Sequence, residues 1–250
     1  MKPIKLLASA AAISSIFLSS ISASAADMTE EKVNEIIKKF LYDNPSVIIE
    51  SLQAWQVREE ALKIKRQQDA VNELKDSFDD DHHGVAGNED GDVTVVEFFD
   101  YNCPSCKMMF ESVDGLIKAD KNVKVVFVEY PIFGPASNEL AKVGMAVAAL
   151  EPEKYFEFHS ALMRKKGKVD VEYALSVAGN MGMDADKIEK EAKKEKYNEY
   201  LIDTKAIGAK LQIQGTPSTI IGGRMVNSAL SLDDLKAQVG WERSPDKSKE

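Results

Sequence analysis

Residues 93–130 constrain the fold more than any other part of the chain. Val93-Thr94-Val95-Val96-Glu97-Phe98-Phe99 is rich in β-branched and aromatic residues and almost unbroken in apolar character, the pattern of a strand buried on both faces. Residues 103–119 then read as a helix, and 123–130 as a second buried strand. Strand, helix and strand in this order make a βαβ unit, because parallel neighbours need a crossover of this length. Pro131 and Pro135 end the pattern.

The rest of the chain is arranged around this unit. Residues 136–211 are helical in character, with breaks near Gly167, Gly179 and Gly182. Gly215-Thr216-Pro217 closes that run. Residues 218–221 and 224–227 form a strand pair about a Gly222-Gly223 turn. Ser231-Leu232-Asp233-Asp234 resembles a capping box opening a last helix to Val239. The polar tail from Arg243 is expected to fray, residues 244–250 lying outside any domain.

The N-terminal residues carry a different signal. Lys2 and Lys5 precede an apolar, small-residue-rich stretch over 6–21, and Ala23-Ser24-Ala25 supplies a small-x-small cleavage pattern. Residues 1–25 therefore read as a secretory leader cut after Ala25 or Ala26, which places the mature chain in the periplasm. Residues 26–83 read as a helical arm. Thr29 is the expected N-cap, and Val33, Ile36, Ile37, Phe40 and Leu41 share one face. Asn44-Pro45 ends this helix and starts another over 45–78. Ile48, Trp55 and Leu62 recur every seven residues, as do Val57, Ile64, Val71 and Phe78. A single helix cannot bury such rows against itself. Packing on the same chain and packing on another subunit both satisfy them, and homo-oligomerisation (dimer or trimer) through residues 27–78 is the favoured expectation.

Composition excludes partners more than it names them. The net charge is -9, and loss of the leader removes two lysines and no acid, giving -11. Such a chain repels polyanions, so no nucleic-acid partner is expected. Two cysteines exclude a disulfide-stapled scaffold and an all-cysteine zinc site.

Those two cysteines form Cys103-Pro104-Ser105-Cys106, directly after a buried strand and at a helix start. Four readings compete. A zinc half-site needs two more ligands, and His82, His83 and His159 are not spaced as a partner pair. A structural disulfide closing so short a loop is a poor staple. Inert core thiols sit badly with polar Ser105 and turn-setting Pro104. The fourth reading is a redox-active dithiol. A helix N-terminus favours negative charge, and the thiolate is the nucleophile. Cys103 is the expected solvent-reachable nucleophile, and Cys106, one turn later and more buried, the resolving thiol. Glu97, a carboxylate within a buried strand, is a candidate proton acceptor or donor for Cys106 through water; its alternative is an exposed strand end paired to a lysine. On composition alone Thr216-Pro217 is an ordinary turn.

Other candidates are weaker. Asp79-Asp80-Asp81-His82-His83 offers transition-metal donors but reads first as a solvated tether. Met108, Met109, Met181 and Met183 read as core filler. Phe98, Phe99, Tyr101 and Phe110 are candidates for a peptide groove, with Phe98 or Phe99 reserved for the core.

The segment from Val96 through Cys106 resembles the active-site segment of the DsbA-like branch of the thioredoxin superfamily. The likeness continues through Glu129-Tyr130-Pro131-Ile132-Phe133-Gly134-Pro135 and Gln214-Gly215-Thr216-Pro217-Ser218, and covers roughly residues 84–240. The arm, with Asn44-Pro45 and Val47-Ile48-Ile49-Glu50, resembles the ScsC (suppressor of copper sensitivity) group. The resemblance implies an α/β thioredoxin fold over residues 84–243, with a helical insertion at about 136–211 and a preceding helical arm. It implies a cis bond before Pro217 beside Cys103, and a Thr216 backbone that binds substrate with help from Pro104, Ser105 and Pro217. It implies thiol:disulfide exchange on unfolded or misoxidised proteins and a membrane redox partner. No metal or dissociable cofactor is expected, because the dithiol carries the electrons. Thr before that proline is more like the isomerase members DsbC and DsbG, and Pro-Ser departs from the Pro-His of the strong oxidase. These differences lean towards an isomerase or reductase. A dedicated oxidase and a non-catalytic envelope binding protein with a copper-tolerance role are the rivals.

Overall fold

The computed structural model describes residues 29–244. The expected leader and its cut lie outside the described residues. No described helix is long and apolar enough to cross a membrane. The chain divides into two compact units, one running to Arg58 and one starting at Glu59.

In the first unit, helix α1 (Glu30–Asp43) begins at the expected cap, where Thr29 Oγ1 accepts from the Lys32 N–H. Glu30 and Glu31 lie in its first turn, where the unpaired N–H groups favour negative charge. The helix stops at Asn44, whose backbone N–H and side-chain amide both donate to the Phe40 carbonyl. Helix α2 (Pro45–Leu74) starts at Pro45, which forfeits an N–H that has no helical partner there anyway. None of the α1 residues is buried, and Ile36, Ile37, Phe40, Ile48, Leu52 and Trp55 are all exposed.

The second unit holds the last turns of α2, a 3₁₀ turn over Lys75–Phe78, and a five-stranded sheet. Its strands are β1 (Gly84–Gly87), β2 (Val93–Phe99), β3 (Val123–Glu129), β4 (Ser218–Ile221) and β5 (Arg224–Val226), in the order β1-β3-β2-β4-β5. The β2–β3 pair is parallel and is connected by α3 (Pro104–Ala119), as the βαβ reading required; the other pairs are antiparallel. A side chain at Gly84 would fall on the ring of Tyr155, which is why β1 starts with a glycine. Between β3 and β4 come α4 (Pro135–Leu150), α5 (Pro152–Arg164), α6 (Val171–Asn180), α7 (Ala185–Ala192) and α8 (Lys196–Lys210). The chain closes with α9 (Leu232–Glu242), opened by the capping box of Ser231 and Asp234.

Strand alternation sorts β2 onto two faces. Val93, Val95 and Phe99 join the larger core with α3 and the inserted helices, while Val96 and Phe98 turn the other way. There they meet Val71 and Phe78 from the end of the arm and Leu211 after α8, with Phe78 edge-on to Phe98 at 5.9 Å. The seven-residue row of the arm is thus split. Val71 and Phe78 enter this core, whereas Val57 and Ile64 remain exposed. Buried Gln67 also reaches the domain, its Nε2 donating to the Leu211 carbonyl at 3.1 Å.

Four expectations need correction. Phe98, Phe99, Tyr101 and Phe110 are all fully buried, so none lines a groove. His82 and His83 do not belong to a solvated tether; both are buried, and His82 stacks on Tyr200 at 3.8 Å. Arg243 is not frayed, because its guanidinium pairs with both Asp92 and Asp120 at 2.6 Å. Met108 alone of the four methionines departs from core filling, being exposed.

Candidate active site

Cys103 is the N-cap of α3. Its backbone is extended, and its sulfur accepts a hydrogen bond from the Cys106 N–H at 3.3 Å. Pro104 follows at the first helical position with its φ already set. The loop before Cys103 is held by Asp100, a buried carboxylate that sequence reading missed. It accepts from the N–H groups of Asn102, Ile132 and Phe133 and from the Ser137 hydroxyl. The Asp100 carbonyl also receives the Cys103 N–H. Asn102 exchanges two hydrogen bonds with the backbone of Val169, and Lys107 Nζ donates to the carbonyls of Lys165 and Gly167. Both contacts tie the cysteine loop to the inserted helices. An Asp-x-Asn run just before a Cys-x-x-Cys motif was the available signal, since short polar side chains in a turn bond the nearby backbone.

The Thr216–Pro217 peptide is cis. The Cys103 thiol donates to the Thr216 carbonyl at 3.2 Å, across 113 residues of sequence. The hydroxyl of Ser218 lies between the Gly215 carbonyl at 2.8 Å and Asn227 Oδ1 at 3.0 Å, holding this loop against the end of β5. An open hollow of about 410 Å³ beside the pair is lined by Ser105, Thr216, Pro217 and Ser228 among others.

The two sulfurs have opposed environments. Cys103 is 2% exposed and Cys106 fully covered, so Cys103 is less open to solvent than its position suggested. The Cys106 thiol and the N–H groups of Cys106 and Ser105 outweigh burial and hold the Cys103 thiol down at about 6. Burial, aided by the hydrogen bond that the Cys106 thiol donates to Cys103 and by the nearby Glu97 carboxylate, pushes the Cys106 thiol far up. Glu97 sits on the α3-facing side of β2 by strand alternation, directly opposite Thr219. It is buried, no group among the described residues hydrogen-bonds its carboxylate, and the exposed strand end of the alternative reading is not what is found. Burial first, and the Cys103 charge second, raise its pKa to about 8. The fold therefore gathers Glu97, Cys103, Pro104, Ser105, Cys106, Thr216 and Pro217 at one end of β2 and β4. His159 is buried elsewhere, its Nδ1 3.3 Å from the hydroxyls of Tyr101 and Tyr155.

A sheet that seats a Cys-x-x-Cys pair at a helix start against a cis-proline loop defines the thioredoxin class, and five inserted helices narrow the class further. The DSBA-like thioredoxin domain matches residues 94–240, and the chain belongs to that family. It is a thiol-disulfide oxidoreductase of the DsbA family. Disulfide bond formation protein D of Bacillus subtilis is 27% identical over 168 residues, which span 63% of this chain and 76% of that protein. The thiol-disulfide exchange protein alpha-DsbA2 of Wolbachia pipientis is 32% identical, with a TM-score of 0.64 over 70% of this chain and 94% of that one. ScsC of Proteus mirabilis in a compact conformation is 25% identical, with a TM-score of 0.64 over 88% of this chain and 100% of that one.

Proposed function

We propose that this protein is an exported disulfide isomerase or reductase in which Cys103 attacks, Cys106 resolves and Glu97 takes the Cys106 proton and passes it to the leaving substrate thiolate. The observation that carries this reading is the opposed setting of the two sulfurs: Cys103 Sγ accepts from the Cys106 N–H, while burial keeps the Cys106 thiol protonated until a base takes its proton. The Cys103 thiolate attacks one sulfur of a substrate disulfide, forming a mixed disulfide and expelling a substrate thiolate. Cys106 then gives its proton to the Glu97 carboxylate and attacks Cys103 Sγ. The second substrate thiolate leaves and is protonated from Glu97. The substrate disulfide is reduced by two electrons and the protein pair is oxidised. In isomerisation, a substrate thiol displaces Cys103 before Cys106 acts, and no net electrons move.

The backbone of Thr216, beside the open hollow, pairs with an extended substrate segment as an added strand. Pro104, Ser105 and Pro217 form the rest of that contact. The exposed apolar rows of α1 and the first half of α2 support self-association as a dimer or trimer. The apolar leader over residues 6–21 supports a periplasmic location with a membrane redox partner. Unfolded or misoxidised proteins are the substrates. Assembly through the arm faces several dithiols towards shared clients and hinders recycling by a membrane oxidase.

One observation favours a dedicated oxidase instead. A thiolate held at about 6 stabilises the reduced pair, which makes the disulfide form the better oxidant. Acid trapping of the two thiols in growing cells separates the readings. A mostly reduced pair, together with refolding of scrambled ribonuclease lost in Cys103→Ser, is expected. A pair found fully oxidised, with no activity on scrambled substrate, assigns the oxidase. Sedimentation at micromolar concentration tests the arm, and a lone monomer there removes the assembly from the proposal.

A further inference from the structure

We propose that Asp80, His82 and His83 form a binding site for one divalent transition-metal ion of the zinc class, separate from the cysteine pair. Among the described residues these three are the group of His, Cys, Asp and Glu side chains whose ligand atoms converge, all lying within 4.8 Å of one another. Two imidazoles and one carboxylate leave a fourth position for water, a set that suits borderline metals better than calcium or magnesium. Tetrahedral bonds of ~2.1 Å put neighbouring ligand atoms ~3.4 Å apart. Asp80 is exposed and free to rotate towards the imidazoles, which are held in place.

The imidazoles carry the argument. Both are more than nine-tenths buried, and the Nδ1 atom of each has no hydrogen-bond partner. An unpartnered buried polar atom costs free energy unless something occupies it. His83 is also oriented as metal ligands are. Its Nε2 lies 3.3 Å from the Ser77 carbonyl, so the proton sits on Nε2 and the Nδ1 lone pair points away unused. His82 is clamped between His83, at 4.1 Å, and the ring of Tyr200, at 3.8 Å and nearly parallel. Burial disfavours a positive charge on His82, while Asp80, Asp81 and Asp203 favour one there and Lys196 opposes it. His83 and Asp80 border an open cleft of about 550 Å³, which gives an ion a way in. Binding would pin the turn between the 3₁₀ segment and β1 to Tyr200 on α8.

The test uses tag-free protein with Cys103 and Cys106 joined as a disulfide, so that no thiol competes. Calorimetric titration with Zn²⁺ is expected to show one ion per chain at micromolar affinity or tighter. His82→Phe keeps the stack on Tyr200 and removes the nitrogens. His83→Gln keeps an N–H donor for Ser77 and removes the imidazole. Each should weaken binding at least tenfold, and Asp80→Asn should weaken it less. Absence of saturable uptake, or unchanged uptake with both histidines replaced, overturns the site. Nitrogen-detected NMR of the unmutated protein covers the case of a variant that fails to fold. Zn²⁺ should shift the Nδ1 resonances of His82 and His83, and unmoved resonances overturn the proposal on their own.

Discussion

Cys103 Sγ meets the backbone of Thr216 at 3.2 Å, so two segments 113 residues apart in sequence meet at one sulfur. The sulfur also accepts from the Cys106 amide. Its alkylation rate by iodoacetamide should therefore rise with pH through an inflection near 6, not near the ~8.5 of a free cysteine. Ultraviolet thiolate absorbance should follow the same curve. Cys106→Ala removes the thiol that does most to hold this value down, so the inflection should move up towards that of a free cysteine, and the variant should trap mixed disulfides visible by mass spectrometry.

Glu97 gives a second pH signature. Its pKa rises from 4.5 to about 8 on folding. The folded chain then holds a proton that the unfolded chain releases, so stability is lost as pH climbs from 4.5 towards 8. Cys103 titrates with the opposite sign above about 6, so the comparison belongs in a Cys103→Ser, Cys106→Ser background. In that background Glu97→Gln should flatten the slope and gain roughly 1–3 kcal/mol at pH 8 in urea unfolding. With both cysteines present, Glu97→Gln should slow resolution of the mixed disulfide by roughly 100-fold while leaving the first attack nearly unchanged.

Asp100 organises the loop rather than reacting. Replacing it with Ala strands the N–H groups of Asn102, Ile132 and Phe133. Asp100→Ala should cost about 3 kcal/mol or more, measured by urea denaturation. Asp100→Asn retains an acceptor and should cost about half as much.

Phe78 ends the arm inside the smaller core, edge-on to Phe98. Phe78→Ala should destabilise the domain by about 3–5 kcal/mol in the same assay. Trp55→Ala, at an exposed position, should leave domain stability within about 0.5 kcal/mol.

Much of this architecture is written locally. The strand bounds at residues 93–99 and 218–221, the Thr29 cap and the Ser231 box follow from runs and caps that need only their neighbours. The cysteine pair was legible for the same reason, since its helix start adjoins it in sequence. What local pattern cannot carry is the identity of the covering surface. The 45–78 segment repeats every seven residues throughout, yet of the residues in those rows only Val71 and Phe78 join the core under the sheet, a division set by where β2 and β4 lie. His82 and His83 follow three aspartates and look solvated, yet both are buried, His82 against Tyr200 more than a hundred residues on. Asp100 and Arg243 likewise find their partners through the fold, not through spacing.

The Cys103 sulfur is only 2% uncovered. If it is the attacking atom, as proposed, a disulfide locked inside a rigid globule has little room to line up with it beside Ser105 and the 215–217 loop, and a pliant, unfinished chain has the readier access.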